Sequence, residues 1–148
     1  MANSLEKYKN DWYFMPEIKG ADCITRRNFP IPFFQIVGLF AEDANYELRE
    51  CYVDSNRLFI EGYTRGKKNE LMLRYNNGQE KHLVVARIEF IHQRKGKMTE
   101  LYRILKRIQH KYHTGPIVIE SVQTSEMEEW CMKNKFVNKE GSYYQPQK

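Results

Sequence analysis

The stretch that decides the fold is residues 82–120, HLVVARIEFIHQRKGKMTELYRILKRIQHKYHTGPIVIE. It begins with the apolar run His82–Ile91, which is typical of a strand covered on both sides. After Gly96 the apolar residues recur at helical spacing, which predicts a long amphipathic helix that ends before Pro116. Ile117–Glu120 then predicts a short buried strand. A strand, a helix and a strand in this order predict a βαβ unit, with parallel strands and a right-handed crossover.

Strict alternation divides the side chains of His82–Ile91 between two faces of the sheet. We expect one face to carry Val84, Ala86, Ile88 and Phe90, and the other to carry Leu83, Val85, Arg87, Glu89 and Ile91.

Two more strands are predicted before this unit, at Leu58–Tyr63 and Glu70–Tyr75, joined by the loop Arg65–Asn69. Asn77-Gly78 is a strong signal for a hairpin into the third strand, because both residues tolerate positive φ. Three antiparallel strands therefore precede the helix, and the sheet is mixed. The sequence predicts the α/β class.

The ends of the chain are less regular. Thr124 or Ser125 can cap a second helix that runs to about Asn134, and Phe136–Tyr144 is expected to be extended. Near the start, Pro30 and Pro32 break the apolar run Phe29–Phe40, which predicts an extended or edge segment. We expect an acidic helix over Glu42–Cys51, beginning near Ala41.

Composition indicates one globular domain over residues 1–148, of which 1–56 is poorly assigned. The chain is 41% hydrophobic and 14% aromatic, with a mean hydropathy of -0.73, which argues against disorder. Its longest apolar run falls short of the roughly 20 residues of a spanning helix, so no membrane association is expected. Residues 1–10 lack the apolar core of a signal peptide.

Cysteine and charge limit the function further. Cys23, Cys51 and Cys131 are far apart and form no CxxC pair, which favours a reducing cytoplasm and no metal site. The formal net charge is +5 and the sequence pI about 9.0. Such a charge favours anionic partners, either nucleic acid or a phosphate-bearing cofactor.

The loop Gln93–Met98 joins the third strand to the long helix. In mixed sheets, ligands bind beyond the carboxyl ends of strands, where a glycine turn meets a helix N-terminus. Its main-chain N–H groups could hold a pyrophosphate, with Arg94, Lys95 and Lys97 supplying positive charge. The six residues alone fit a solvated basic turn better, so the case for a ligand site depends on the surrounding elements.

Together with this order of elements, the loop resembles the GNAT superfamily of N-acetyltransferases over about residues 57 to 145. The family signature is Q/R-x-x-G-x-G/A at the start of the long helix; Gln93 and Gly96 match it, and Met98 stands in place of the small last residue. In a second motif, Trp130, Lys133 and Phe136 match, Cys131 replaces the family's Tyr, Lys135 replaces its Gly, and Thr124 replaces the Asn that begins the short helix.

The resemblance implies a GNAT-like mixed sheet that binds acetyl-coenzyme A as co-substrate, without a metal. Main-chain groups of Ile88, Glu89 and Phe90 would bind the pantetheine arm, between two strands that splay apart. The loop residues Gln93, Arg94, Lys95, Gly96, Lys97 and Met98 would hold the pyrophosphate. An amine would then attack the acetyl carbonyl after losing a proton, and the thiolate would leave. The acceptor, a small molecule or a protein, is not identified, and a monomer or a homodimer is expected.

Three side chains are candidates for proton transfer. Glu89 is the first candidate for the proton acceptor, and its alternative role is an ion pair with Arg87. Glu120 is the reserve candidate. Cys131 could protonate the leaving thiolate, although a helical cysteine more often has a packing role.

Two other functions stay open. A catalytically inactive GNAT-fold binding or regulatory protein would account for Met98, Cys131 and Lys135 in place of family residues. A small nucleic-acid-binding protein would instead bind phosphates through its basic residues. These residues are Arg94, Lys95, Lys97, Arg103, Lys106, Arg107 and Lys111.

Overall fold

Over the residues that it describes, a computed structural model of the chain contains one seven-stranded sheet and three α-helices. It describes residues 33–54, 56–93, 95–120, 122 and 124–146. The elements are α1 (Phe34–Asp43), β1 (Leu48–Asp54), β2 (Arg57–Thr64), β3 (Lys67–Asn77), β4 (Lys81–Glu89), α2 (Lys97–Tyr112), β5 (Ile117–Ile119), α3 (Ser125–Lys133), β6 (Val137–Lys139) and β7 (Ser142–Tyr144). The strand order is β1-β2-β3-β4-β5-β7-β6.

The sheet is mixed, as the sequence predicts. Strands β1 to β4 pair antiparallel with their chain neighbours, and β4 pairs parallel with β5 through Leu83–Val85 and Ile117–Ile119. Helix α2 is the crossover between these two parallel strands, so the βαβ unit is confirmed. The hairpin of β6 and β7 then adds antiparallel strands beside β5.

The turns differ from the sequence prediction. The tight turn is Arg65-Gly66, with φ of 52° and 78°, because Thr64 already pairs with Lys67. Two successive positive φ angles match the right-handed twist of the flanking strands. The predicted loop Arg65–Asn69 is therefore too long. At Asn77 the hairpin instead needs three connecting residues, since Asn77 pairs with Lys81.

The prediction for residues 33–54 was wrong. The segment expected to be extended contains α1, and the expected helix over Glu42–Cys51 is replaced by a turn and β1. Ile36, Val37 and Phe40 are fully buried at helical spacing. Prolines are tolerated just before a helix, so Pro30 and Pro32 did not exclude one here. Residues 29–32 lie outside the described residues.

A bulge in β4 changes which side chains share a face. Met72 pairs with Arg87 and Leu73 pairs with Val85, so Ala86 is an extra residue on β4. The strict alternation predicted for this strand is therefore wrong beyond Val85. Ile88 and Phe90 share a face with Leu83 and Val85, whereas Arg87 and Glu89 share the other face with Val84.

The buried residues of all three helices join one face of the sheet in a single core, and we call this the helix face. Helix α2 buries the stripe Met98, Leu101, Ile104, Leu105 and Ile108. Helix α3 is capped as predicted, since Thr124 Oγ1 accepts the Met127 N–H at 3.1 Å. None of the described helices is long and apolar enough to cross a membrane.

Candidate functional site

The ladder between β4 and β5 ends before β4 does. Among the described residues, its last main-chain bond joins the Glu120 N–H to the Val85 carbonyl at 2.8 Å. On its other side β4 remains paired with β3 as far as Glu89, which is the partner of Glu70. Residues 86–89 of β4 therefore extend past the end of β5, and a gap opens between the two strands.

The loop after β4 leads directly into the N-terminus of α2. Gly96 is the N-cap residue, with φ of 74° and ψ of 10°, in the left-handed region that favours glycine. The first helical bond runs from the Glu100 N–H to the Gly96 carbonyl, at 3.0 Å. The N–H groups of Lys97, Met98 and Thr99 come before that bond, so they have no acceptor within the helix. They form a cluster of donors at the positive end of the helix dipole.

A buried carboxylate fixes the start of this loop. Asp43, at the end of α1, is fully buried and accepts the N–H groups of Ile91 at 2.7 Å and His92 at 3.0 Å. It also accepts the side-chain amide of Asn69 at 2.9 Å. Because a buried carboxylate needs such partners, the contact ties the loop to both α1 and β3.

Asn69 supports Asp43 from the middle of the sheet. Its side-chain oxygen accepts the Gly62 N–H at 2.7 Å, and its amide also donates to the Phe40 carbonyl at 2.9 Å. Position 62 has room only for glycine, because a Cβ there would lie 2.6 Å from the Cβ of Ala44. Neither Asp43 nor Asn69 was predicted from the sequence as part of the site. The sequence carried no local signal for the pair, since Asn69 fell in the predicted loop Arg65–Asn69 and its partner Asp43 lies 26 positions away.

A first cavity of about 280 Å³, the helix-start cavity, lies between the loop, the start of α2 and α3. Its walls include Gln93, Gly96, Lys97, Trp130 and Lys133, together with Phe90, His92, Met98, Thr99, Glu126, Met127 and Glu129. The Lys97 ammonium lies 2.9 Å from the Glu42 carboxylate, so part of its charge is already offset. Trp130 donates to the Thr99 hydroxyl at 3.0 Å and thereby joins α3 to α2.

A second cavity of about 350 Å³, the strand-end cavity, lies at the gap between β4 and β5. It is lined by Glu70, Arg87, Ile88, Glu89, Phe90, Gln93, Val122, Thr124 and Met127. Ile88 and Phe90 belong to the helix face, whereas Arg87 and Glu89 belong to the opposite face. The cavity thus has walls from both faces. It shares Phe90, Gln93 and Met127 with the helix-start cavity, so the two are adjacent.

Four predicted loop residues, Gln93, Gly96, Lys97 and Met98, line the helix-start cavity, and of these only Gln93 also lines the strand-end cavity with Glu89. Glu89 lines the strand-end cavity, and Arg87 pairs with Glu70 at 3.8 Å instead of with Glu89. Lys95 is exposed, and Arg94 lies outside the described residues. Met98 is 7% exposed and belongs to the core stripe of α2 as well as to the wall of the helix-start cavity.

The other two proton-transfer candidates are placed differently. Glu120 lies 3.0 Å from the Arg74 guanidinium and is not among the residues that line either cavity. Cys131 is fully buried in the core. Desolvation, together with the charge of Glu128, raises the pKa of the Cys131 thiol to about 12. Both placements favour a structural role, an ion pair for Glu120 and core packing for Cys131.

No protein-family model matches the chain, and no curated protein matches it significantly. Function must therefore be argued from the site. Within the described residues, no group of three His, Cys, Asp or Glu side chains is arranged to hold a metal ion.

Proposed function

We propose that the protein is an N-acetyltransferase that transfers the acetyl group of acetyl-coenzyme A to an amine. Four features that follow one another after β4 carry the proposal: a strand end beyond the ladder with β5, a glycine turn with positive φ, N–H groups without an acceptor within α2, and two adjacent cavities. The match of Gln93 and Gly96 to the GNAT signature supports the same conclusion.

In this proposal the pyrophosphate binds at the start of α2. The N–H groups of Lys97, Met98 and Thr99 and the helix dipole favour an anion there. Lys95 and Lys133 are exposed near this end and add positive charge. The pantetheine arm follows the open edge of β4 at Ile88–Phe90, where main-chain groups lie beyond the ladder with β5.

Transfer takes place in the strand-end cavity, which can admit the donor from the helix face and the amine from the opposite face. Glu89 is the proton acceptor, because it lines this cavity and no described residue forms an ion pair with it. The neutral amine forms a bond with the carbonyl carbon, and the bond to sulfur breaks. The leaving thiolate takes its proton from water, since Cys131 is buried elsewhere.

Thermal melting with acetyl-coenzyme A tests the binding step. At a concentration one hundred times the Kd, binding adds about 2.7 kcal/mol to the free energy of unfolding, which raises Tm by about 5 to 10 °C in a domain of this size. The absence of any shift at millimolar ligand would contradict the proposal.

Release of free thiol in the presence of amines tests the transfer step. Binding of acetyl-coenzyme A without thiol release from any amine would support the alternative, a GNAT-fold binding or regulatory protein. The burial of Cys131, at the position of the family's Tyr, is the observation that favours this alternative.

A further inference from the structure

Trp130 is a half-buried tryptophan on α3 that lines the helix-start cavity. Its ring makes a tilted contact with Phe136, with centroids 5.6 Å apart, and an edge contact with Tyr102 at 5.3 Å. Neither Phe136 nor Tyr102 is among the residues that line the cavity. These two rings therefore contact the indole from outside the cavity, and part of its surface remains open towards the cavity.

The orientation of the indole is fixed by a hydrogen bond as well as by packing. Trp130 Nε1 donates to the Thr99 hydroxyl at 3.0 Å. An aromatic ring that is held at its N–H edge and by two neighbouring rings loses little further conformational freedom when a ligand stacks on it. This wall of the cavity is therefore organised before any ligand binds.

The same hydrogen bond places the indole beside the helix N–H groups. Thr99 is the last of the three residues whose N–H groups have no acceptor within α2. An aromatic wall and a helix start that favours anions thus meet in one cavity. A nucleotide carries the matching pair of groups, a diphosphate and a base, with only a ribose between them.

The charges on the cavity walls indicate where each half of such a ligand lies. The wall from α3 carries Glu126 and Glu129 as well as Lys133, so it has no excess of positive charge. A phosphate therefore gains little there compared with the start of α2, where the N–H groups and the helix dipole attract it. An uncharged ring suits the wall from α3 better, and Trp130 offers it a flat surface.

We infer that the helix-start cavity is a nucleotide site in which the indole of Trp130 stacks on the base. The identity of the base rests on the proposed function, under which it is the adenine of acetyl-coenzyme A. Trp130 is then a binding residue at the end of the donor that is remote from the acetyl group. Its loss should raise KM for acetyl-coenzyme A and leave kcat nearly unchanged, because the stacking is the same before and during transfer.

Calorimetric titration of the full chain with ADP and with inorganic pyrophosphate tests the stacking without requiring turnover. Both ligands offer two linked phosphates to the start of α2, but only ADP has a base. We expect ADP to bind the parent about fivefold to a hundredfold more tightly than pyrophosphate, which is the usual gain from stacking one base on an aromatic side chain. Trp130→Leu should lose this preference and leave pyrophosphate binding unchanged, whereas Trp130→Tyr should keep most of it.

Tyr102→Leu is the matched control, because Tyr102 packs against Trp130 but does not line the cavity. Each of the two leucine variants removes one ring from the same aromatic cluster, so urea denaturation should show a similar loss of stability. Only Trp130→Leu should lose the preference for ADP. An equal loss in Tyr102→Leu would overturn the inference, as would a preference that persists in Trp130→Leu or no ADP binding at millimolar concentration.

Kinetics of thiol release from acetyl-coenzyme A separate the stacking from the proposed function. A KM that rises about fivefold to a hundredfold in Trp130→Leu, with kcat nearly unchanged, supports both. If transfer occurs with the same KM in the parent and in Trp130→Leu, the stacking is wrong and the transferase stands. If ADP binds through Trp130 but acetyl-coenzyme A neither binds nor reacts, the proposed acetyl transfer fails and the nucleotide site stands.

Discussion

At the scale of single residues, Gly96 makes the turn from β4 into α2 possible. Its φ of 74° lies in the left-handed region, and a Cβ there would meet no atom within 4 Å. Replacing Gly96 by another residue therefore strains the backbone but causes no steric clash with the described residues. Gly96 lines the helix-start cavity, so a side chain at this position would occupy the space proposed for the pyrophosphate.

Gly96→Val should abolish binding of acetyl-coenzyme A while the fold survives. The strain of positive φ costs about 1 to 3 kcal/mol, and the core stripe of α2 is unchanged. Calorimetry measures the binding, and circular dichroism measures the fold.

Gly66→Val is the matched control, because Gly66 has φ of 78°, also meets no atom within 4 Å and lies in the turn between β2 and β3. It should lose similar stability and keep its binding. If Gly96→Val binds as tightly as the parent, the loop is only a basic turn.

Two buried thiols make stability depend on alkaline pH. Desolvation by burial raises the pKa of Cys51 and of Cys131 from 9.0 to about 12. The unfolded chain loses these protons above pH 9, whereas the folded chain keeps them to about pH 12. The stabilisation is therefore complete below pH 9 and is lost as the pH rises towards 12.

Between about pH 9.5 and 11, the free energy of unfolding should fall with rising pH in both the parent and Cys51→Ala. The slope should be about 1.4 kcal/mol per pH unit smaller in Cys51→Ala, because that variant lacks one buried thiol. Urea denaturation at several pH values measures both slopes. Tyrosine and lysine ionisation affects the two proteins alike, so the difference isolates the thiol. Parallel curves would show that Cys51 is not kept protonated in the folded chain.

At the scale of elements, α1 holds the loop through one side chain. Asp43 accepts the N–H groups of Ile91 and His92. These two loop residues follow Asp43 by 48 and 49 positions in the chain. An exposed neighbour on the same helix, Glu42, makes a different kind of contact, a surface ion pair with Lys97. The two positions therefore separate anchoring of the loop from simple loss of a charge in α1.

Asp43→Asn should destabilise the fold by about 2 to 4 kcal/mol and weaken binding of acetyl-coenzyme A. The carboxylate of Asp43 accepts three hydrogen bonds, from Asn69, Ile91 and His92. An Asn side chain has one oxygen and one NH₂ group, so at least one of these buried donors would face another donor and lose its acceptor. Glu42→Gln, the control, should cost about 1 kcal/mol or less, because the Glu42 carboxylate is exposed to solvent. Chemical denaturation and calorimetry measure the two effects. Equal behaviour of the two variants would show that Asp43 does not anchor the loop.

At the scale of the whole molecule, the sheet has a strong centre and a weak edge. The ladders between β2 and β3 and between β3 and β4 have eight residue pairs each, whereas β6 and β7 share three. Local opening at the edge exposes fewer buried residues, since β6 is exposed throughout. Stability should therefore differ across one sheet.

Amide hydrogen exchange should be slowest in β2, β3 and β4, at the rate of global unfolding, and faster in β6 through local opening. Raising urea should speed exchange in the central strands steeply and in β6 only slightly, because global unfolding exposes more surface. Equal rates and urea slopes in both regions would mean that the sheet opens as one unit.

The sequence by itself determined the features that depend on near neighbours. The helical stripe of α2, the Thr124 cap of α3 and the strands around Glu70–Tyr75 follow from residues within a few positions of each other. The same holds for the candidate loop, since a strand, Gly96 and a helix in succession already indicate an anion site. Two local signals competed near α1: Pro30 and Pro32 favoured an extended segment, whereas the apolar spacing within α1 favoured a helix. The prediction followed the prolines and was wrong.

Tertiary structure decided what depends on pairing between distant segments. The bulge at Ala86 exists only in the register of β4 against β3, and it moves Arg87 and Glu89 to the face opposite Ile88. The Asp43 anchor likewise joins residues that are far apart in the chain. Periodicity reports which side chains are buried, but strand register sets which ones meet, because a shift of one residue sends every side chain to the other face.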